Sequence, residues 1–423
     1  MNSPDAAVSV ARADWFQQPA LKRVLALLND DGEARIVGGA IRNTLMGLPV
    51  GDIDIATTLP PKTVVARARA AGVKAVPTGI AHGTVTLVAD GHPFEVTTLR
   101  VDLTTDGRRA EVAFGTDWDA DARRRDLTMN GLYADAAGNV IDPVDGIDDI
   151  RTGTVRFIGD AATRIEEDYL RILRFFRFFA WYGKGRPDAD GLRASARLKA
   201  GLNKLSAERI WSELKRLLAA PDPARSLLWM RQAGALSEVL PESDKWGIDS
   251  IVPLVASEVA LGWPADPLLR LMAIVPPDGT RVAAMASRLR MSNAEARRLK
   301  RWAAQVDLPD DIDAAELRRT LYRGDAQAIE DRLKLHLARL RHSEGDTAPG
   351  TEAVSRQLAV VGDWEKPDLP VTGADLRAEG IEPGPQLGQA LAALEKAWVE
   401  SDFTLDRSDL LARLHSGYRS DSP

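Results

Sequence analysis

Cysteine is absent from the 423-residue sequence, and this absence excludes several kinds of chemistry. Without cysteine the chain has no disulfide framework, no thiolate zinc site and no cysteine nucleophile. The sequence also lacks an uninterrupted run of about 18 apolar residues, which is the length that a membrane-spanning helix needs. Residues 1–15 lack a basic segment followed by an apolar one, so we expect no secretory signal peptide. These absences favour a reducing compartment, and we expect a cytoplasmic location with no membrane partner.

Charge is unevenly distributed along a chain that is acidic as a whole. Lys and Arg number 55 against 61 Asp and Glu, which gives a net charge of −6. Residues 164–216 contain thirteen Lys or Arg and seven Asp or Glu, a local net charge of +6. Global acidity argues against a protein coated in nucleic acid, whereas the basic segment is typical of a groove that binds a polyanion. A solvated helical face is the alternative interpretation of that segment.

Composition and hydrophobic spacing indicate a globular protein with a mixed first part and a helical remainder. Hydrophobic residues make up 45% and charged residues 27% of the chain, which is long enough for about two to four domains. The spacing predicts an amphipathic helix over residues 14–29, and strand-like and helical runs then alternate up to about residue 158. Beyond residue 160 the spacing is helical to the C-terminus. The predicted fold class is α+β, with a mixed sheet and helices followed by an all-helical tail.

The predicted strands and chain breaks divide the sequence further. We expect strands at Ala34–Val37, Ile53–Thr57, Thr84–Ala89 and Pro93–Leu99. The last two flank Asp90-Gly91, a dipeptide that is typical of a β-hairpin turn. The polar, glycine-containing segment His342–Gly350 is the best candidate for a linker. We therefore predict four parts, which are residues 1–158, 159–240, 241–345 and 346–423.

A glycine pair followed by an Asp-x-Asp strand is the strongest constellation in the sequence. Side chains alternate along a strand, so Asp52 and Asp54 share one face and the intervening apolar side chains share the other. Two adjacent carboxylates are typical ligands of Mg²⁺ or Mn²⁺. Gly38 and Gly39 open a helix whose free N–H groups favour a phosphate, and Arg42 adds a charged fork. The combination indicates two-metal phosphoryl or nucleotidyl transfer, and a turn beside an exposed Asp-x-Asp pair is the alternative.

Glu95, in the strand Pro93–Leu99, is a candidate third carboxylate for such a site. A two-metal site often takes a further carboxylate from a neighbouring strand. The alternative is an exposed strand residue with no role in metal binding, and the sequence does not separate the two.

An arginine-rich segment at residues 123–130 carries further candidates. It combines cations, a carboxylate and an amide, and Arg125, Asp126 and Asn130 suit triphosphate oxygens and ribose hydroxyls. A solvated basic helix end is the alternative. Asp142 and Asp145, in the following strand and turn, are expected to cap and shape the turn rather than to bind metal.

A largely apolar helix is predicted over Glu166–Phe178, with Arg171, Arg174 and Arg177 on a slanted stripe. Guanidinium groups on a mostly buried helix are costly unless they are paired, and Asp168 and Arg171 are near enough along a helix to pair. Their free edges would match the exocyclic amine and ring nitrogen that cytosine and adenine share, and would mismatch guanine and uracil. This predicts a nucleobase reader, and a structural ion-pair network is the alternative.

These motifs occur in an order that resembles one known family. Along roughly residues 34–180 the segments are GGAIRN, GDIDIAT, TGIAHGTVTLV, FEVTTLR, RRRDLTMN, DPVDGIDD and EEDYLRILRFFRF. Together they resemble the bacterial CCA-adding enzymes and poly(A) polymerases, which are class II tRNA nucleotidyltransferases. The resemblance implies a catalytic head like that of DNA polymerase beta. Sparser likeness continues through Leu205–Pro241 and Leu369–Leu414.

The resemblance implies a role for each candidate in the first motifs. Gly38, Gly39 and Arg42 would hold the triphosphate, and Asp52 and Asp54 would bind the catalytic Mg²⁺ ions. The region from residue 79 to 83 would join a flexible segment around residues 101–115 that helps to switch nucleotide choice.

The remaining candidates would bind the incoming nucleotide, and they are Arg125, Asp126, Asn130, Asp168, Arg171, Arg174 and Arg177. In the family resemblance the first three contact phosphate and ribose, the next two read the base, and the last two support the nucleotide. The helical tail would hold the acceptor end of tRNA.

Two positions depart from the family pattern, and one motif is missing. Asn43 stands where an aspartate usually follows the arginine, so its hydrogen-bonding capacity is kept and its charge is lost. Gly131 replaces a common alanine. The phosphohydrolase appendage of some members needs adjacent His-Asp pairs, and the sequence contains none, so we expect no such activity.

The function that the motifs and the family resemblance together imply is template-independent addition of C and A nucleotides to a tRNA 3′ end, from CTP and ATP with Mg²⁺. A poly(A) polymerase, or an enzyme that adds only CC or only A, is the nearest alternative. An RNA-binding protein with an inactive head is disfavoured by the intact Asp52, Asp54 and Arg125. A nucleotidyltransferase acting on small molecules is disfavoured by the predicted base reader and the long helical tail. The oligomeric state and the choice among tRNAs are not predicted.

Overall fold

The computed structural model of the protein describes residues 8–80, 83–104, 111–244 and 246–418. The chain divides into two units, Met1–Asp244 and Lys245–Pro423. Every strand among the described residues lies in the first unit, and the described part of the second unit has helices only. The predicted α+β fold class with a helical remainder is thereby confirmed.

The strands of the first unit are β1 (Ala34–Val37), β2 (Asp54–Thr57), β3 (Lys74–Gly79), β4 (Thr84–Ala89), β5 (His92–Thr98), β6 (Arg100–Thr104), β7 (Glu111–Phe114), β8 (Tyr133–Ala134) and β9 (Val140–Ile141). Its helices are α1 (Pro19–Leu28), α2 (Gly39–Leu45), α3 (Pro61–Ala70), α4 (Trp118–Arg123), α5 (Gly146–Thr152), α6 (Ala161–Glu167), α7 (Leu170–Tyr182), α8 (Ala189–Leu198), α9 (Ala207–Leu218), α10 (Ala224–Gln232) and α11 (Ala235–Val239). Short 3₁₀ turns lie at Thr128–Asn130, Lys199–Lys204 and Pro241–Ser243.

Within the described chain, one sheet has seven strands in the order β3-β4-β5-β2-β1-β8-β9, and β6 and β7 form a separate hairpin. Strand β2 runs antiparallel to β1 and parallel to β5. The parallel register places Asp54 directly beside Glu95. Two carboxylates that are distant in sequence are therefore neighbours across one ladder of the sheet.

The hairpin of β4 and β5 forms where the sequence predicts it. Val85 and Leu87 on β4, and Phe94 and Val96 on β5, are buried, and the residues between them are more exposed. Asp90 and Gly91 at the turn have φ angles of 50° and 82°. Positive φ at both central residues is the requirement of a two-residue hairpin turn whose twist matches its strands.

The first helix is shorter than predicted. Residues 14–29 were expected to be helical, but α1 begins at Pro19, and the chain before it forms turns. Proline is favoured at the first position of a helix, because its missing N–H has no intrahelical partner there. Leu21, Leu25 and Leu28 are fully buried, so the predicted apolar stripe is confirmed.

The helices of the second unit are α12 (Ile251–Leu261), α13 (Pro267–Ile274), α14 (Gly279–Arg288), α15 (Asn293–Ala304), α16 (Ala314–Arg323), α17 (Ala326–Ser343), α18 (Pro349–Gly362), α19 (Gly373–Ala378), α20 (Pro385–Glu400) and α21 (Arg407–Tyr418). A 3₁₀ turn at Ile248–Ser250 precedes them.

Two hydrophobic clusters organise this unit. One contains Leu333 of α17 and Val354 of α18, and the other contains Leu376 of α19 and Trp398 of α20. Because α17 and α18 share a cluster, the predicted linker at His342–Gly350 is a short connection between two packed helices. The division of the chain into four functional parts remains a prediction.

Candidate active site

An open cleft of about 490 Å³ lies in the first unit. Ten of the thirteen residues that the sequence singled out line it, and the three that do not are Asp52, Glu95 and Arg177. The full wall consists of Val37, Gly38, Gly39, Arg42, Asp54, Arg125, Asp126, Asn130, Asp168, Leu170, Arg171, Arg174, Phe178 and Arg209. The fold thus gathers most of the predicted nucleotide-binding residues around one opening.

The glycine pair shapes the turn from β1 into α2. Gly38 has φ 74° and ψ −113°, a conformation that side chains other than hydrogen rarely permit. Its N–H donates to the carbonyl oxygen of Leu132 at 3.0 Å. That amide is therefore not available to a phosphate, and the requirement for glycine at position 38 comes from the turn itself.

Arg42 is almost completely buried and holds several parts of the cleft together. Its Nη1 donates to Asn130 Oδ1 at 2.5 Å, and its Nη2 donates to the hydroxyl of Tyr182 at 2.9 Å. The guanidinium also lies over the Tyr182 ring, with 4.2 Å from its Cζ to the ring centroid. Burial is the main cause that lowers the pKa of Arg42 below the ordinary arginine value. Most N–H donors of Arg42 are bonded to protein groups, so fewer of them are available to a triphosphate than the sequence suggested.

Asn43, at the position where the resemblance implies an aspartate, bonds both to Arg42 and to the following loop. Its Oδ1 accepts from Arg42 Nε at 3.1 Å and from Arg42 Nη2 at 2.9 Å. Its Nδ2 donates to the carbonyl oxygen of Pro49 at 2.8 Å. An aspartate would keep the bonds from the arginine but has no N–H to donate. The amide therefore joins Arg42 to the loop that leads to Asp52.

The carboxylates at the start of β2 take the predicted faces. Asp52 and Asp54 are exposed, whereas Ile53 and Ile55 are buried. Partial burial raises the pKa of Asp54, and the nearby carboxylates of Glu95 and Asp52 raise it further, while Arg125 opposes them. Carboxylates that destabilise each other's charge form an oxygen donor set that suits a hard divalent cation such as Mg²⁺.

The described residues do not, however, hold three metal-binding side chains around one point. Within residues 8–80, 83–104, 111–244 and 246–418, no group of three or more His, Cys, Asp or Glu side chains is arranged to hold a metal ion. Glu95 lies beside Asp54 in the sheet and influences its charge. Its role as a third metal ligand stays a prediction.

Arg125 lines the cleft and is held by a buried hydrogen-bond network around Asp121. Its Nη2 donates to Asp121 Oδ2 at 2.9 Å, and the Tyr133 hydroxyl donates to the same oxygen at 2.7 Å. Burial alone would raise the pKa of Asp121, but Arg125 and Arg124 hold it below the ordinary value. Asp121 thus stays charged inside the protein and fixes the direction of Arg125.

Asp126 is a mostly buried residue of the cleft wall and connects two of the predicted arginines. Its Oδ2 accepts from Arg174 Nε at 2.5 Å, and its Oδ1 accepts from Asn130 Nδ2 at 3.1 Å. Burial would raise its pKa, yet the facing Arg174 and these hydrogen bonds lower it. Through Asn130 the chain of bonds continues to Arg42. Asp126 is thus engaged by protein groups rather than turned freely to a ribose.

The predicted pair of Asp168 and Arg171 is wrong. Asp168 has φ −155° and ψ 106° and lies between α6 and α7, so the two residues do not share one helix as expected. Asp168 Oδ2 accepts from Arg209 Nη2 of α9 at 2.6 Å. Arg171 Nη1 donates to Glu167 Oε2 at 2.5 Å. Both side chains still line the cleft, where each has a separate partner.

Arg177 lies away from the described cleft wall. Its Nε is 3.0 Å from Oε2 of the buried Glu213 on α9, and its guanidinium packs over the ring of Phe178. This arrangement is the structural ion-pair network that the sequence left open for the helix.

Asp142 accepts from the backbone N–H of Gly146 at 2.9 Å and of Ile147 at 2.8 Å, so its predicted turn-shaping role is confirmed.

The proposed nucleotide switch falls largely outside the described residues. Residues 81–82 and 105–110 are not described, nor are the side chains of residues 101–113. The prediction for that region is therefore not tested.

Sequence reasoning missed several partners of the predicted residues, which are Glu167, Arg209, Asp121, Tyr133 and Tyr182. Asp121 had a usable signal, because it precedes Arg125 by four positions on a helical stretch. Arg209 and Tyr182 had none, since they reach the cleft through helix packing that local spacing does not encode.

Comparison with known proteins assigns three stretches of the chain to family models. Residues 34–156 match the poly A polymerase head domain, and residues 188–246 match the RNA and SrmB-binding site of polymerase A. Residues 271–413 match tRNA nucleotidyltransferase domain 2. A separate observation is that no helix in the described chain is both long and apolar enough to span a membrane.

Named relatives extend over nearly the whole chain. The mitochondrial CCA tRNA nucleotidyltransferase 1 of Danio rerio is 35% identical over 399 residues, which cover 90% of this chain and 87% of that protein. The CCA-adding enzyme of Streptococcus gordonii is 32% identical over 410 residues, which cover 94% and 96%. The crystal structure of the Bacillus stearothermophilus CCA-adding enzyme with CTP aligns with a TM-score of 0.68 and 26% identity, over 95% and 100% of the two chains. The protein therefore belongs to the family of CCA-adding enzymes and is a nucleotidyltransferase.

Proposed function

We propose that the protein adds C and A nucleotides to the 3′ end of tRNA, using CTP and ATP and no template. The observation that carries the proposal is the cleft itself. Asp54 lies at one edge of the cleft, and several arginines suited to a triphosphate line it. Arg171 and Asp168 line the same cleft and offer a hydrogen-bond donor and an acceptor suited to a base. The near full-length similarity to proteins named as CCA-adding enzymes supports the same reaction.

The proposed chemistry is an attack of the RNA 3′-hydroxyl on the α-phosphorus, with release of pyrophosphate. Asp52 and Asp54 would hold Mg²⁺, which supplies activation of the hydroxyl and neutralisation of the leaving group. Arg125, directed by Asp121, would bind phosphate oxygens from the other side of the cleft. Arg42 keeps Asn130 and Asp126 in place, because its guanidinium is bonded to Asn130.

Base selection is assigned to Asp168 and Arg171, which have spare capacity for a ligand. Asp168 accepts from the N–H of Leu170 and from Arg209, and its carboxylate has further lone pairs for an exocyclic amine. Arg171 donates from Nη1 and Nη2 to protein acceptors, and its guanidinium has five N–H donors in all. Cytosine and adenine satisfy both groups, whereas guanine and uracil leave buried partners unpaired.

We also propose a division of labour along the chain. Residues 1–158 would carry catalysis, and residues 159–240 would read the nucleotide. Residues 241–345 would form a helical body, and residues 346–423 would contact the RNA. The net charge of +6 over residues 164–216 supports an RNA backbone contact next to the cleft. We expect the reaction in the cytoplasm, where tRNA, CTP and ATP are available.

The test is a primer-extension assay with purified protein, Mg²⁺ and a tRNA that lacks its terminal CCA. With CTP and ATP together we expect growth that stops after C, C and A, and with CTP alone growth that stops after two residues. The D52A/D54A double variant serves as the inactive control. Long A tails on unrelated RNA would favour a poly(A) polymerase instead. Extension only of tRNA that already ends in CC would identify an A-adding enzyme.

A further inference from the structure

Three arginines from α6 and α7 converge on one short segment of the first unit. Arg164, Arg171 and Arg174 all bond to residues 124–126, and we refer to these three as the arginine clamp. Arg174 holds the side chain of Asp126, whereas the other two hold backbone carbonyl oxygens. The clamp thus joins the helix pair that carries the proposed base reader to the segment that carries Arg125.

Arg164 is the buried member of the clamp. Its Nη2 donates to the carbonyl oxygen of Arg125 at 2.6 Å and also to that of Arg124. Its Nη1 donates to both carboxylate oxygens of Glu167, at 2.8 Å and 2.6 Å. Only 8% of the residue is exposed, and it does not belong to the described wall of the cleft. Arg164 therefore holds the backbone of Arg125 from behind and does not line the cleft.

Arg171 shares two acceptors with this buried residue. Its Nη1 donates to Glu167 Oε2, and its Nη2 donates to the carbonyl oxygen of Arg124 at 3.3 Å. It also donates to the carbonyl oxygen of Arg164 at 2.7 Å. Arg171, which is proposed to read the base, is therefore held by two groups that also bond to Arg164. Arg164 in turn holds the backbone of Arg125, which is proposed to bind the triphosphate.

The burial and the bonding of Arg164 argue for a specific role rather than general packing. A desolvated guanidinium is costly unless its donors are satisfied, and burial together with the nearby Arg171 lowers the pKa of Arg164. Its Nη1 and Nη2 are bonded, whereas its buried Nε has no hydrogen-bond partner among the described residues. An apolar side chain would avoid this cost but could not bond to these groups. A lysine carries only three N–H donors on one nitrogen, whereas Arg164 reaches two carbonyl oxygens and both carboxylate oxygens of Glu167 from two nitrogens. The geometry requires a planar fork at position 164.

We propose that Arg164 is a positioning residue that fixes Arg125 and Arg171 relative to each other, so that correct reading of the base aligns the triphosphate. The proposal rests on the proposed function and adds to it the residue that links selection to transfer. A displacement of about 1 Å of a positioned group costs on the order of 10²-fold in rate, which sets the scale of the expected effect.

The test compares R164K and R164M with the wild type in single-nucleotide addition to tRNA that lacks CCA. We expect kcat/KM for CTP to fall about 10-fold in R164K and about 100-fold in R164M. We also expect the preference for CTP over UTP to fall at least about 10-fold in R164M, because Arg171 loses its fixed position. R151M, which removes an exposed arginine paired with Asp148, is the matched control and should leave both values unchanged.

The preference for CTP over UTP is a ratio within one preparation, so it does not depend on the fraction of folded protein. A purely structural role for Arg164 predicts a lower Tm with an unchanged ratio, and that result would overturn the proposal. If the wild type itself adds neither C nor A, the proposed function fails instead, and the two failures are thereby distinguished.

A measurement on the wild type covers the case in which neither variant folds. Hydrogen exchange is followed for residues 121–130 and 161–174 in the presence of CTP, ATP or UTP. We expect CTP and ATP to slow exchange in both segments together, and UTP to leave both unchanged. Protection of one segment without the other would contradict a fixed link between them.

Discussion

Both units of the protein bury charged side chains, but they use them differently. In the first unit, buried Arg42, Asp126 and Arg164 bond to partners far along the chain, and the network ends at groups that face the cleft. In the second unit, Arg270 and Glu258 are almost fully buried and bond to each other across neighbouring helices, with 2.6 Å from Arg270 Nη2 to Glu258 Oε2. Charge burial positions side chains that line the cleft in the first unit, whereas in the second it fixes how two helices pack.

The largest expected effect is the loss of activity in D54N, which removes one carboxylate of the charged edge. We expect nucleotide addition to fall by at least about 10³-fold, because the proposed metal site loses a ligand. The same change should raise Tm in the absence of Mg²⁺, since folding raises the pKa of this carboxyl and the charged form is therefore destabilising.

The pH dependence gives the sign of that stability effect. A carboxyl whose pKa is raised by folding destabilises the protein above the folded pKa, and the penalty disappears below the unfolded value. The Tm difference between D54N and the wild type should therefore shrink as the pH falls to 3.8. D31N, which changes an almost fully exposed carboxylate, is the control. A D54N protein that keeps full activity would contradict the comparison between the units.

Breaking the buried pair of the second unit tests the other side of the comparison. We expect E258A to lower the free energy of unfolding by about 3–5 kcal/mol, because the buried Arg270 loses the carboxylate that it faces. The double variant E258L/R270M should recover most of that loss, since apolar side chains of similar size avoid the desolvation cost. Urea unfolding measures both. Affinity for CTP in the folded protein, measured by calorimetry, should stay within about twofold; a large loss of affinity would show that this pair also serves the site.

A glycine packed beneath an aromatic ring allows a smaller test within the first unit. A Cβ on Gly201 would lie 1.9 Å from Cδ1 of Tyr169, the residue that follows Asp168. Overpacking of this kind costs about 1–3 kcal/mol, and we expect G201A to lower Tm and to weaken CTP binding together. G279A is the matched control, because no heavy atom lies within 4 Å of the Cβ position there. Weakened stability with unchanged CTP affinity would mean that Tyr169 does not position Asp168.

The smallest expected effect is that of N43D, which introduces the aspartate that the resemblance implies at this position. The variant loses the bond from Nδ2 to the Pro49 carbonyl, worth about 1 kcal/mol, and strengthens the two bonds from Arg42 by adding charge. We expect kcat/KM for CTP to change less than about threefold and Tm to change by a few degrees. A loss of more than 10-fold would show that the bond to Pro49 is required to hold the loop that leads to Asp52.

Local pattern predicted β1, β2, β4 and β5 and the exposed faces of Asp52 and Asp54, because alternation and turn residues act over a few positions. It missed β3 and β8 of the same sheet. It could not predict that Asp54 pairs with Glu95, since that contact depends on which strands become neighbours. It failed at Asp168, because the chain leaves the helical conformation there and α7 begins at Leu170. Arg209 was missed for a related reason, as it reaches Asp168 through the packing of α7 and α9.

The parallel pairing of β2 and β5 has a consequence for how the protein tolerates change. The two carboxylates at that ladder are held together by backbone hydrogen bonds, not by the chain between Thr57 and His92. That intervening excursion returns to the sheet as β3 and β4, with β3 at its outer edge. We therefore expect that residues can be inserted or deleted at the turn between α3 and β3 while Asp54 and Glu95 keep their relative positions.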